Sequence, residues 1–198
     1  MPMIIGLTGG IAAGKSTVRE TLASRRGVEA FDADAFVHRL LESDSSVAAK
    51  INQEFGNRCL GDDGRPDRKA LRELVFHDVD ARRKLEGILH PLVRAEWLAQ
   101  REQCLAKGAH FLADIPLLYE THSNSFFDRV VVVACSPSVQ MTRLEARGLS
   151  GETAHAMLAS QLPMRQKVEE AAFVIWNDGS MESLRRQTQF LANLLFDN

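Results

Sequence analysis

Gly9-Gly10-Ile11-Ala12-Ala13-Gly14-Lys15-Ser16-Thr17 is the stretch on which the reading of this 198-residue chain turns. It matches GxxxxGK[ST], follows the apolar run Met3 to Thr8, and precedes a helical pattern. A polyphosphate needs many N–H groups at close range. A glycine-rich turn feeding a helix N-terminus supplies them, in Gly10, Ile11, Ala12, Ala13 and Gly14. Lys15 adds a point charge near the β- and γ-phosphates, and Ser16, followed by Thr17, offers a hydroxyl to magnesium. The alternative is a merely structural glycine turn, and the strand–loop–helix setting speaks against it.

Outward from that loop, apolar runs alternate with helical patterns. Met3 to Thr8, Val28 to Phe31, Phe111 to Ile115, Val130 to Ala134 and Phe173 to Trp176 each read as short buried strands. Strands alternating with helices imply right-handed crossovers and a parallel sheet covered on both faces, the α/β class. The stretch from Asp34 to Lys107 is too long for one crossover and reads as an inserted helical subdomain. Within it, Gly61-Asp62-Asp63-Gly64-Arg65-Pro66 is a turn by composition, and Asp67 caps a helix over Arg68 to Phe76. Pro91 is expected to open a long helix that reaches Lys107 and stops at Gly108. Met181 to Phe196 spaces Leu184, Phe190, Leu191, Leu194 and Leu195 like a helix laying one face on the sheet.

Composition excludes several classes. Apolar residues make up 45% and charged residues 25%, and no apolar run approaches the roughly 20 residues of a membrane-spanning helix. The first apolar stretch lacks a basic flank and does not read as a secretory signal, so the expected location is the cytoplasm. Cys59, Cys104 and Cys135 are odd in number and far apart, which argues for reduced thiols. The six histidines show no HExxH, so a metal is better held by oxygen and phosphate ligands, as magnesium is. A net charge of -2 excludes a globally basic nucleic-acid binder and points to a small anionic ligand. No NKxD guanine reader or DxxG switch is present, so ATP is the expected donor rather than GTP.

Other residues must carry the reaction. Asp32-Ala33-Asp34 falls at the carboxyl end of the second strand, where open parallel sheets place ligands. In an extended backbone the two carboxylates project to one side, so one can accept a hydroxyl proton while the other supports a magnesium shell. Asp34 as a plain helix N-cap is equally compatible with position alone. Asp114, at the top of a central strand, suits either magnesium or a buried structural role. Arg143 and Arg147, spaced i, i+4 on the helix after the fourth strand, can clamp a transferring phosphoryl group. Arg147, beside Gly148, equally suits a helix C-terminus. Leu149 to Lys167 reads as a mobile helical lid carrying Arg165 and Lys167, although such charges are more often a solvated face.

Taken together, the loop Leu7-Thr8-Gly9-Gly10-Ile11, then Asp32-Ala33-Asp34, His90-Pro91-Leu92-Val93, Asp114-Ile115-Pro116-Leu117-Leu118-Tyr119-Glu120, Gln161-Leu162-Pro163 and Val174-Ile175-Trp176-Asn177 resemble dephospho-coenzyme A kinase in order and spacing. The likeness covers almost the whole chain. It implies a P-loop NTPase domain of the nucleoside-monophosphate-kinase type: a three-layer α/β/α architecture around a five-stranded parallel sheet, with a helical insert and a lid. The core would be 1–33, 108–148 and 172–198, the insert 34–107 and the lid 149–171. The implied activity is phosphorylation of the 3′-hydroxyl of dephospho-coenzyme A by ATP, the last step of coenzyme A synthesis, in a monomer or small homo-oligomer. By the same resemblance Asp34 is the candidate base, Lys15 and Arg143 its catalytic partners, and Arg147 and Asn177 neighbours of ATP. Thr8, Arg68, His90, Leu117, Glu120 and Gln161 match substrate-side positions, and Ser16, Asp32 and Asp114 are the magnesium candidates. The family usually has glycine at position 12, where this chain has Ala12. The loop would be strained by up to about 1 kcal/mol if that position needs positive φ.

Overall fold

The run that precedes the glycine loop forms the central strand of a sheet in the computed structural model, which describes Met1–Asp197. In chain order the strands are β1 (Ile4–Gly9), β2 (Val28–Asp32), β3 (His110–Asp114), β4 (Arg129–Ala134) and β5 (Phe173–Trp176). The helices are α1 (Lys15–Ala23), α2 (Ala33–Ser43), α3 (Ser45–Phe55), α4 (Arg68–His77), α5 (Val79–Ala106), α6 (Pro137–Glu145), α7 (Gly151–Ala159), α8 (Met164–Glu170) and α9 (Met181–Phe196). Two compact units result, Met1–Phe31 with the chain from Arg101 onward, and Asp32–Gln100.

In the first unit the strand order is β2-β3-β1-β4-β5, with β1 parallel to β3 and β4, and β4 parallel to β5. This is the expected α/β architecture. Strands buried on both faces need near-continuous apolar sequence, as β1 and β4 show. On one face Ile5, Leu7, Val131, Val133 and Ile175 meet Val18 and Leu22 of α1 and Leu184, Leu191 and Leu195 of α9. On the other face Gly6 lets Leu118 and Phe127 approach: a Cβ there would meet Leu118 at 2.6 Å.

Two expectations need correction in this unit. β5 is an edge strand, so Val174 and Trp176 are exposed rather than buried. Its open backbone is closed by Gln187, whose amide accepts from Trp176 N at 3.3 Å and donates to Trp176 O at 3.0 Å. Helix α9 has the expected limits, but Phe190 and Leu194 face solvent. At about 100° per residue they lie roughly 120° and 80° off the stripe that contains Leu184, Thr188, Leu191 and Leu195.

The second unit is helical. Asp44 and Asp67 cap α3 and α4, each accepting from two backbone N–H groups of the first turn. Leu40, Leu41, Val47, Ile51, Phe55, Leu71 and Leu89 form its core. The Gly61–Pro66 turn closes through Gly61 N to Arg65 O at 2.8 Å. Pro91 does not open a helix; it lies inside α5, which begins at Val79. The N–H that proline lacks would have bonded to the carbonyl of Gly87, so the helix continues with one bond fewer. Its end is as expected. Gly108 is left-handed at φ 69°, with Gly108 N on Leu105 O and Ala109 N on Cys104 O, both at 3.0 Å, a Schellman closure.

Candidate functional site

The carboxyl ends of β1, β3, β4 and β5 deliver Gly9, Asp114, Ala134 and Trp176 to one edge of the sheet. After β1 the chain turns tightly, with Gly10 N on Val133 O at 3.2 Å and Ala13 N on Gly10 O at 3.1 Å. Gly14, at φ 95°, is the N-cap of α1, and no side chain caps that helix or places an acidic group in its first turn. The N-terminal amides and helix dipole are thus left to favour an anion. Ala12 is at φ 60°, so position 12 does require the left-handed region.

Three side chains hold this loop from behind, each on a successive carbonyl. Gln140 donates to Ile11 O at 2.8 Å, Arg143 to Ala12 O at 3.1 Å, and Asn177 to Ala13 O at 2.8 Å. Arg143 also donates to Asn177 O at 2.9 Å, tying α6 to the end of β5. Asn177, which the family resemblance sets beside the nucleotide, is 2% exposed and grips the loop itself. Lys15 is paired with the buried carboxylate of Asp114, whose second oxygen lies 3.9 Å from Arg19 Nε. Ser16 is exposed and Thr17 half-buried in the first turn of α1.

Arg143 and Arg147 do not share a helical face. Helix α6 ends at Glu145, and Gly148 at φ 83° reverses the chain, leaving Arg147 exposed beyond the helix. The segment Asp114 to Glu120 continues from the end of β3. Thr8 donates to Pro116 O at 2.9 Å, and Leu117, half-buried, accepts from Thr121. Glu120 accepts from Leu162 N at 2.9 Å and forms an ion pair with Lys167 Nζ at 2.7 Å. Lys167 is fully buried, not on a solvated face, whereas Arg165 pairs with Glu169 in solvent. Gln161 is half-buried just before Leu162. Burial pushes the neighbouring Tyr119 hydroxyl up to about 12, with the Glu170 carboxylate adding to it.

In the helical unit Asp32, not Asp34, caps α2, accepting from Ala35 N at 2.9 Å. Asp34 therefore sits exposed in the first helical turn rather than in extended backbone, and the same-side argument for the two carboxylates does not apply. One turn on, His38 lies 2.6 Å from Arg68, which reaches it from α4. His90 is half-buried, and burial lowers its imidazole below the ordinary range.

Sequence reasoning missed Gln140, Arg19 and His38, since no motif marks them. Gln140 reads as an ordinary helix residue until the loop is seen against it. The three cysteines are buried and free, and burial raises each thiol, Cys104 to about 11. No group of three or more His, Cys, Asp or Glu side chains among the described residues forms a metal cluster. No described helix is long and apolar enough to cross a membrane.

Residues 3–183 match the family model described as dephospho-CoA kinase. The chain is 42% identical to a dephospho-CoA kinase from Methylococcus capsulatus, over 96% of this chain and 98% of that relative. In structure it resembles TT1252 from Thermus thermophilus, with a TM-score of 0.78, 34% identity and 98% of both chains covered. It also resembles the dephospho-CoA kinase from Campylobacter jejuni, with a TM-score of 0.67 and 27% identity over 100% of this chain and 99% of that one. Matched along nearly its whole length in sequence and in fold, the chain belongs to the dephospho-CoA kinase family.

Proposed function

We propose that this kinase moves the γ-phosphoryl group of ATP to the 3′-hydroxyl of dephospho-CoA, with the donor in the 9–17 loop and Asp34 accepting the hydroxyl proton. The observation that carries the donor half is the loop itself: an uncapped helix start, the carbonyls of Ile11, Ala12 and Ala13 tied away, and Lys15 at hand. Backbone N–H groups of Ile11, Ala12 and Gly14 to Thr17 take the β- and γ-phosphates, those of Gly10 and Ala13 holding the turn, and Lys15 neutralises charge on the group in flight. Arg143 acts through the loop it holds and brings its charge to the same edge, while Arg147 and Asn177 border the nucleotide.

Ser16 and Asp114 offer hard oxygen donors beside the loop, a set that suits magnesium, and Asp32 is a further carboxylate for that shell. Magnesium, when bound with ATP, would spread the charge of the phosphate oxygens. On the acceptor side the helical stretch 34–107 holds dephospho-CoA, with Arg68 and His90 among its contacts, and Thr8, Leu117, Glu120 and Gln161 shape the wall at the sheet edge. Asp34 suits the base because it is an exposed carboxylate with no capping duty. The segment 149–171 closes over the phosphates and limits hydrolysis. These partners are small molecules. We read the chain as a cytoplasmic protein, monomeric or a small homo-oligomer, that has no nucleic-acid partner.

An ADP-release assay comparing dephospho-CoA with adenosine, AMP, CMP and shikimate tests the acceptor. Turnover should be confined to dephospho-CoA, and equal rates on another acceptor would overturn the assignment. Asp34→Asn should lower kcat by roughly 10² to 10⁴ with ATP affinity little changed. Near-normal kcat would remove Asp34 from the role.

A further inference from the structure

We propose that Gln140 is a positioning residue for the phosphate loop, the first member of a three-donor brace that it forms with Arg143 and Asn177. The inference rests on the reading of the 9–17 loop as the triphosphate cradle. A trans peptide is planar, with its C=O and N–H pointing in opposite directions. Gln140 fixes the carbonyl of Ile11 and so aims the N–H of Ala12 the other way. Arg143 fixes the carbonyl of Ala12, whose partner N–H, that of Ala13, closes the turn on Gly10 O. Asn177 fixes the carbonyl of Ala13 and thereby aims the N–H of Gly14. Released, any of these peptides could rotate and turn a carbonyl oxygen, rather than a donor, toward a phosphate.

The loop's glycines fit this account. Gly14 belongs to the motif, but Gly10 is a free position in GxxxxGK[ST] and the motif does not explain it. A Cβ at Gly10 would lie 2.5 Å from Gln140 Nε2 and equally 2.5 Å from Met164 Cε, and one at Gly14 would lie 2.5 Å from Asn177 Nδ2. Both glycines make room for the amides that brace the loop. Gln140 is only 6% exposed, so its amide is committed to this contact instead of to solvent. Burial of a polar side chain whose amide donor goes to one loop carbonyl is readily explained if that carbonyl must not move.

The test uses the full chain and ATP. Gln140→Leu keeps the bulk and removes the donor. Its Kd for ATP, by calorimetry, should rise about tenfold, while kcat at saturating ATP stays within about twofold. Gln140→Glu keeps the shape and makes the donor titratable. Protonated, the carboxyl can donate to Ile11 O; ionised, it repels that carbonyl. The ratio of its Kd to that of the wild type should therefore fall as pH drops from about 8 to about 5.5, a signature that loss of packing cannot give. A Gln140→Leu protein that binds ATP like the wild type overturns the proposal, and so does a Gln140→Glu ratio flat with pH. If the leucine variant does not fold, the glutamate ratio decides alone. Wild-type protein that fails to bind ATP would sink the cradle reading itself, a different result from either.

Discussion

The ammonium of Lys15 is paired with the carboxylate of Asp114, which is 3% exposed at the end of β3. The lysine expected to meet phosphate thus has a protein counter-charge at the same edge of the sheet. If Asp114 serves the metal shell, its negative charge opposes bare ATP and helps the magnesium complex. Asp114→Asn should then narrow the gap between the Kd values measured in EDTA and in magnesium by roughly tenfold. Titrations that leave this gap unchanged would make Asp114 a structural partner of Lys15.

Glu120 and Lys167 form the most buried ion pair described, with no part of the lysine side chain exposed and 18% of the glutamate. Removing the carboxylate strands a charge that cannot reach water. Glu120→Gln should cost about 3–5 kcal/mol in urea unfolding. Lys167→Met should cost less, because the glutamate keeps a backbone donor in Leu162. The double variant should recover part of the loss, as a buried pair is replaced by uncharged groups. A loss under about 1 kcal/mol for Glu120→Gln would mean that the pair is not buried in solution.

Ala12 tests how far this loop tolerates departure from its relatives. An L-residue in the left-handed region costs about 1 kcal/mol, and reverting to glycine adds back about 0.4–1 kcal/mol of unfolded-chain entropy. Ala12→Gly should therefore be neutral to slightly stabilising, by at most about 1 kcal/mol. Ala12→Val should lose about 2 kcal/mol or more, from branching at positive φ and crowding against Leu144 and Ala154. Thermal unfolding of both variants decides. Strong destabilisation by glycine would show that the methyl group's packing outweighs its backbone strain.

The strand–loop–helix unit was legible because phosphate binding constrains consecutive residues, which a sequence displays directly. The Asp67 cap and the Gly108 stop were legible for the same reason: each is a local signal acting within a few residues. Pro91 misled because its rule is also local, while the packing of α5 on both sides of the proline is not. Phe190 and Leu194 were misassigned for a related reason: apolar character was read without following the helical angle. The brace from Gln140 and Asn177 joins residues more than a hundred positions apart, and no spacing rule can reveal such a contact. Buried Lys167 was hidden likewise, since its partner lies in another motif.

His110, where β3 begins, accepts the Met3 backbone N–H on Nδ1 at 3.1 Å and sits edge-on to Phe196 at 5.0 Å. Burial lowers its imidazole below the ordinary 6.5, and the terminal amino group adds to the effect. The folded chain thus disfavours a proton that the unfolded chain accepts. Its contribution to stability is complete above about pH 6.5 and is lost as pH falls through the lowered folded value. His110→Asn places an amide oxygen where Nδ1 accepts, without a titrating group. The fall in melting temperature between about pH 7.5 and pH 5 should be smaller in this variant than in the wild type, with a residual slope from His90, which burial lowers in the same direction. Identical pH slopes in the two proteins would show that the Met3 contact does not depend on a neutral imidazole.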